Sequence, residues 1–152
     1  MENLSDIIKR EAIERNMCPE GIMEWADNTD ADGLIEKYKK HIDFILLQDD
    51  PWPSSEFIRD NFDTETLHRN LFFIDETINL PDAPSGVYVI NGACTGVLNF
   101  GQWAAATVYV RHDSRIRICA DDFAKVFVRV YDDAMVETEA GESARIKVYD
   151  RR

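Results

Sequence analysis

Apolar residues recur along the chain with two different periods, and the change falls between Leu80 and Gly86. Before it they are spaced three or four apart, as on one face of a helix. Leu4, Ile7, Ile8 and Ala12 predict a first helix that closes near Asn16. Asn3 or Ser5 can open it, because their side-chain oxygens accept from the free amides of a first turn. Pro19 sits where a missing N–H costs nothing, at the start of a second short helix carrying Ile22, Met23 and Trp25. Asn28-Thr29-Asp30 is a capping cluster. Beyond it, Leu34, Ile35, Tyr38, Ile42, Ile45 and Leu46 predict one continuous third helix, ended by Asp49-Asp50-Pro51-Trp52-Pro53. Ser54 or Ser55 caps a fourth helix with Glu56 in its first turn and Phe57, Ile58 and Phe62 on its apolar side. Asp63-Thr64-Glu65 caps a short fifth around Leu67. Leu71-Phe72-Phe73-Ile74 reads as a strand. The cluster Leu80-Pro81-Asp82-Ala83-Pro84-Ser85-Gly86 marks the clearest boundary. It divides residues 1–85, helical, from residues 86–152.

After Gly86 the period falls to two. Val87-Tyr88-Val89 is followed by the turn signal Asn91-Gly92. Strands then open at Ala106, Ser114, Ala124, Ala134 and Ala144, spaced 8, 10, 10 and 10 residues apart. Alternate strands resemble each other more than neighbours do. Those at 106, 124 and 144 share Ala-x-(Val/Ile)-x-Val, and those at 114 and 134 share (Ile/Val)-x-(Ile/Thr)-x-Ala. The repeat is therefore a coil of about 20 residues with two strands. Asp121-Asp122, Asp132-Asp133 and Gly141-Glu142 supply its corners, where Asp and Gly suit turn geometry. The expected fold is α+β: an N-terminal helical region followed by a short C-terminal β-solenoid resembling a parallel β-helix. The competing architecture is an antiparallel β-sandwich or barrel, which leaves the likeness of alternate strands without a cause.

A solenoid presents its outward residues in ladders. The expected ladders join Thr107, Lys125 and Arg145, then Tyr109, Phe127 and Lys147, then Arg111 and Arg129. The candidate binding residues are accordingly Tyr109, Arg111, Lys125, Phe127, Arg129, Arg145 and Lys147. Such a basic and aromatic face suits an anion, a carbohydrate or an acidic partner; the plainer reading is a solvated sheet face of stacked pairs. On the other face, Arg117 is expected to pair with Glu137.

Charge narrows the partners. The formal net charge of −12 is carried by the first half, where residues 1–85 hold eight basic and twenty acidic residues; residues 86–152 hold nine of each. The acidic half repels a phosphate backbone, which disfavours nucleic acid there. An acidic mimic of DNA would need these carboxylates on one contiguous face. No stretch has the roughly 20 apolar residues of a membrane helix, and the first residues lack the basic start and apolar block of a signal peptide. Cys18, Cys94 and Cys119 form no CxxC pair. The expectation is a cytoplasmic protein with free thiols and no membrane contact.

Candidate chemistry is sparse. His112, Asp113 and Ser114 are adjacent, whereas the members of a triad converge from separate elements, so they read as corner residues. His41 and Asp43 lack ligand partners at helical spacing, and Glu65 with His68 is a lone pair of residues. Asn28, Asp30, Asp32 and Gly33 open like a calcium loop, but Lys39 stands where the closing carboxylate belongs, so Asp27, Asp30 and Asp32 read as helix caps. No phosphate-binding loop, nucleophile elbow or zinc-protease motif is present. The expectation is no catalytic residue, no metal and no cofactor.

The segments Ser54–Phe62 (SSEFIRDNF), Asn91–Gly96 (NGACTG), Thr107–Ser114 (TVYVRHDS) and Val126–Asp132 (VFVRVYD) resemble those of small uncharacterised bacterial and mobile-element proteins. That resemblance implies a helical N-terminal region and a short β-helix, and it implies no activity. These observations together favour a protein–protein interaction or assembly module, self-association included, over an enzyme. The alternative is an enzyme or a carbohydrate or anion binder using a groove between helices and solenoid, with Trp25, Trp52, Trp103 and Tyr109 as candidate lining.

Overall fold

The computed structural model describes residues 3–23, 30–48 and 52–151. It divides into two units, Met1–Asn70 and Leu71–Arg152. The first is helical, with α1 Leu4–Glu14, α2 Pro19–Met23, α3 Ala31–Lys40, α4 Ile42–Leu46, α5 Ser55–Asn61 and α6 Thr64–Arg69. The caps follow from short polar side chains at the helix starts. Asn3 accepts from the Asp6 amide, Asp30 from Gly33, Ser54 from Phe57 and Asp63 from Thr66. Ile8, Ala12, Leu34, Ile35, Tyr38, Ile42, Ile45, Ile58 and Leu67 are buried. The single helix expected through Leu46 is instead two, broken at His41, whose φ of −108° and ψ of 29° leave the helical region. Apolar spacing continues across the break, so periodicity alone does not reveal it. Asp32 is not a helix cap: it accepts from both Arg69 at 3.0 Å and Asn70 at 2.7 Å. Trp25, Asp27 and Asn28 lie outside the described residues.

The second unit is the solenoid. Its strands are β1 Phe72–Ile74, β2 Thr77–Leu80, β3 Gly86–Asn91, β4 Thr95–Phe100, β5 Ala105–Val110, β6 Arg115–Ala120, β7 Lys125–Val130, β8 Met135–Ala140 and β9 Arg145–Asp150. Odd-numbered strands form one sheet in the order β1-β3-β5-β7-β9, and even-numbered strands form the other, β2-β4-β6-β8. Every pairing is parallel and joins strands two apart in sequence. An antiparallel sandwich or barrel would pair chain neighbours instead, so the solenoid is the fold. The unit begins at Leu71 rather than Gly86, because β1 and β2 pair with β3 and β4 as the first coil.

Alternation places one set of side chains inside. Tyr88, Ile90, Leu98, Phe100, Val108, Val110, Ile116, Ile118, Val126 and Val128 stack between the sheets and are buried. At Gly96 the chain passes so close to β2 that an added Cβ would lie 1.8 Å from the Ile78 carbonyl oxygen.

The corners repeat as regularly as the strands. The amides of Ala104, Ser114, Ala124, Ala134 and Ala144 each bond the carbonyl three residues earlier, at Gly101, Arg111, Asp121, Tyr131 and Gly141. The small corner residue of β5 is therefore Ala104, not Ala106, and the ten-residue step holds there too. Gln102, His112, Asp122 and Asp132 occupy positive φ values of 52°, 59°, 54° and 57°. Short polar side chains tolerate this left-handed region best among residues with a Cβ. Here they also use it. The Asp122 carboxylate accepts from the Gln102 amide at 2.8 Å, and Asp132 accepts from the His112 amide at 3.1 Å.

Candidate functional site

The outward face of the odd-numbered sheet carries the basic and aromatic ladder, with a register that differs from the expected one. Ala105, Lys125 and Arg145 align; so do Thr107, Phe127 and Lys147, and so do Tyr109, Arg129 and Tyr149. Thus Tyr109 stacks with Arg129 rather than with Phe127, and Arg111 does not align with Arg129. The two-residue shift follows from the true corner at Ala104. The Arg129 guanidinium lies 5.7 Å from the Tyr109 ring and 5.8 Å from Tyr149, a cation held between two aromatic faces. Lys125, Phe127, Arg145 and Lys147 are exposed and Arg129 is half-buried, whereas Tyr109 and Arg111 are buried. On the other sheet Arg117 aligns with Glu137, but its guanidinium reaches the diagonal Glu139 at 2.6 Å. Both groups are exposed, so that pair adds little to stability.

A second surface lies at a corner. Trp103 and Phe123 hold the same turn position one coil apart, with rings stacked at 4.5 Å and 13°. They remain 77% and 50% exposed, beside Lys125 and Ser143. Phe123 is not among the residues expected from the sequence, although its spacing of one coil from Trp103 signals it. Trp52 is half-buried instead, edge-on to Phe44 and under the Arg15 guanidinium at 4.9 Å.

The third surface is the last coil. Val136, Ile146 and Val148 occupy inward positions, aligned with the buried Ile116, Val126 and Val128. Yet Val136 and Ile146 are only half-buried, and Val148 is 45% exposed. Among the described residues no strand pairs with the outer edge of β8 or β9. The outward charges differ in sign: β8 carries Glu137 and Glu139, and β9 carries Arg145 and Lys147.

His112, Ser114 and Cys94 are engaged in the structure of one corner. His112 Nδ1 accepts from the Gly92 amide, and the Ser114 hydroxyl donates to the Gly92 carbonyl at 3.0 Å while accepting from the Cys94 amide. Burial pulls the His112 pKa down and pushes the Cys94 thiol up, which disfavours a thiolate. Tyr88 is pushed up to about 12 by burial, and its hydroxyl donates to the Pro84 carbonyl at 2.6 Å. Among the described residues no group of three or more His, Cys, Asp and Glu side chains is placed to hold a metal ion. No helix among them is long and apolar enough to cross a membrane.

No protein family matches the sequence, no curated protein matches it, and no solved structure matches it.

Proposed function

We propose that this chain is a protein–protein interaction or assembly module that works through the surface of its β-solenoid. The observation that carries the reading is the last coil, where apolar inward side chains and a strand edge in each sheet meet solvent together. An open edge of this kind recruits further strands, and the half-buried Val136 and Ile146 and the exposed Val148 reward whatever covers them. Light scattering and sedimentation of the full chain across micromolar concentrations test it. A discrete oligomer, or a discrete complex with a purified partner that protects β8 and β9 from hydrogen exchange, is the expected result. A strict monomer whose β8 and β9 no partner protects would count against it.

A second reading has its own support. The exposed Trp103–Phe123 stack beside Lys125 suits a carbohydrate ring or an anion. Titration of Trp103 fluorescence with neutral oligosaccharides and with polyphosphate separates these ligands from a protein partner.

A further inference from the structure

We infer that a second copy of this chain covers the last coil, joined across a two-fold axis that runs along the strands, so that β8 of each protomer lies antiparallel to β9 of the other. This rests on the assembly reading above and supplies its partner and geometry. A coil of two strands closes only if they run in opposite directions, so β8 and β9 are opposed in sense on opposite sheets. Two copies can meet end to end at this coil about two kinds of two-fold axis. One sets β8 against β8 and β9 against β9; the other sets β8 against β9 twice. Both give antiparallel edge pairing, which satisfies the open backbone groups.

Charge decides between them. The first arrangement places Glu137 and Glu139 against their own copies, and Arg145 and Lys147 against theirs. The second places the acidic strand against the basic one, twice over. Like charges directly opposite one another on a sheet are destabilising and opposite charges stabilising.

The strand pleat then fixes the register. Outward residues must face outward residues, because a slip of one would turn every side chain to the wrong face. Glu137 meets the partner's Lys147, Glu139 meets the partner's Arg145, and Met135 meets the partner's Tyr149. At the corner beyond, Asp133 meets the partner's Arg151. The same register closes the core. Val136 lies on the partner's Val148 and Thr138 on the partner's Ile146, while Asp150, the inward residue in line with Val130, falls at the end of the seam opposite the partner's Ala134. Glu142 meets its own copy at the corner, a like-charged contact left in water, where screening weakens it.

Sedimentation velocity of three full-length variants tests this geometry. The wild type should be a dimer that loosens with added salt. Glu137→Lys/Glu139→Lys should weaken dimerisation by on the order of a hundredfold, and so should Arg145→Glu/Lys147→Glu. Mixing these two variants should restore a dimer, and the variant carrying all four changes should dimerise alone. Circular dichroism matching the wild type shows that each variant is folded; the mixture is a second control, since misfolded chains would not recover partners. A dimer indifferent to the first pair of changes would overturn the β8-to-β9 interface while leaving the assembly reading intact. An open-ended head-to-tail polymer would overturn it too. A wild type monomeric at every concentration would overturn this inference, while a discrete complex with another protein would keep the assembly reading.

Discussion

Nδ1 of His112 accepts the backbone N–H of Gly92 at 2.8 Å, across 20 residues of sequence. That places the ring proton on Nε2 and makes a neutral imidazole part of the corner. The same relation recurs at Asp122 with Gln102 and at Asp132 with His112. In each, a left-handed residue uses its side chain to satisfy the amide of its counterpart one coil earlier. The spacing of 20 residues is thus built into hydrogen bonds as well as into apolar stacking.

His112 makes the corner acid-sensitive. Burial first, then the Arg111 charge, holds its folded pKa below the usual value of 6.5; Asp132, Asp113 and Asp75 oppose this. Above 6.5 the ring is neutral in both folded and unfolded chains, and the full contribution is present. As pH falls, the unfolded chain takes the proton first, so stability is lost from 6.5 down through the lower folded value. Melting temperatures should fall more steeply between neutral pH and about pH 5 for the wild type than for His112→Asn, which keeps an acceptor without titrating. Parallel slopes would remove His112 from the acid response.

Asp122→Ala and Asp132→Ala should each cost about 1–3 kcal/mol, because an amide loses its acceptor and alanine is strained at positive φ. The Asn replacements keep both the acceptor and the tolerance and should cost under about 1 kcal/mol. Urea denaturation compares the two series. Equal losses for Ala and Asn would show that charge, not the reach to the earlier coil, is what matters.

Gly96→Ala should destabilise the chain by at least about 3 kcal/mol. The added Cβ meets the Ile78 backbone at 1.8 Å, where no side chain can move aside, and φ is 134°. Gly101→Ala is the control: its added Cβ has only an ordinary contact with Asp122 at 3.4 Å. Calorimetry should separate the two melting temperatures widely.

The Trp103–Phe123 stack should show a coupling of about 0.5–1.5 kcal/mol in a double-mutant cycle with alanine. A coupling near zero would mean that the rings adjoin without attracting. Phe123→Ala, which keeps Trp103 as the reporter, should also reduce the affinity of any saturable quenching by oligosaccharide or polyphosphate at least tenfold, roughly 1.4 kcal/mol.

Much of the solenoid was legible because corners and strands carry the same message. Ser114, Ala124, Ala134 and Ala144 mark a step that periodicity confirms, and Asp121-Asp122 and Asp132-Asp133 sit at turns as read. The step failed once, where Ala104, Ala105 and Ala106 are alike and the corner residue is Gln102 rather than Asp or Gly. That slip of two residues carried into the ladder and misplaced Tyr109 and Arg111. Alternation tells which way a side chain points, not whether solvent reaches it, so the burial of both was invisible. The break at His41 was hidden for a related reason: no proline or glycine marks it, and Ile42 and Ile45 keep the apolar spacing. Direct opposition pairs Arg117 with Glu137, whereas a long guanidinium reaches the diagonal Glu139.

The backward reach of the corner side chains also makes neighbouring coils depend on each other. The Gln102 amide has its acceptor only once Asp122 is in place, and the His112 amide only once Asp132 is. At these two corners the earlier coil is completed by a side chain of the later one, so removing a later coil would leave an amide of the one before it without its acceptor.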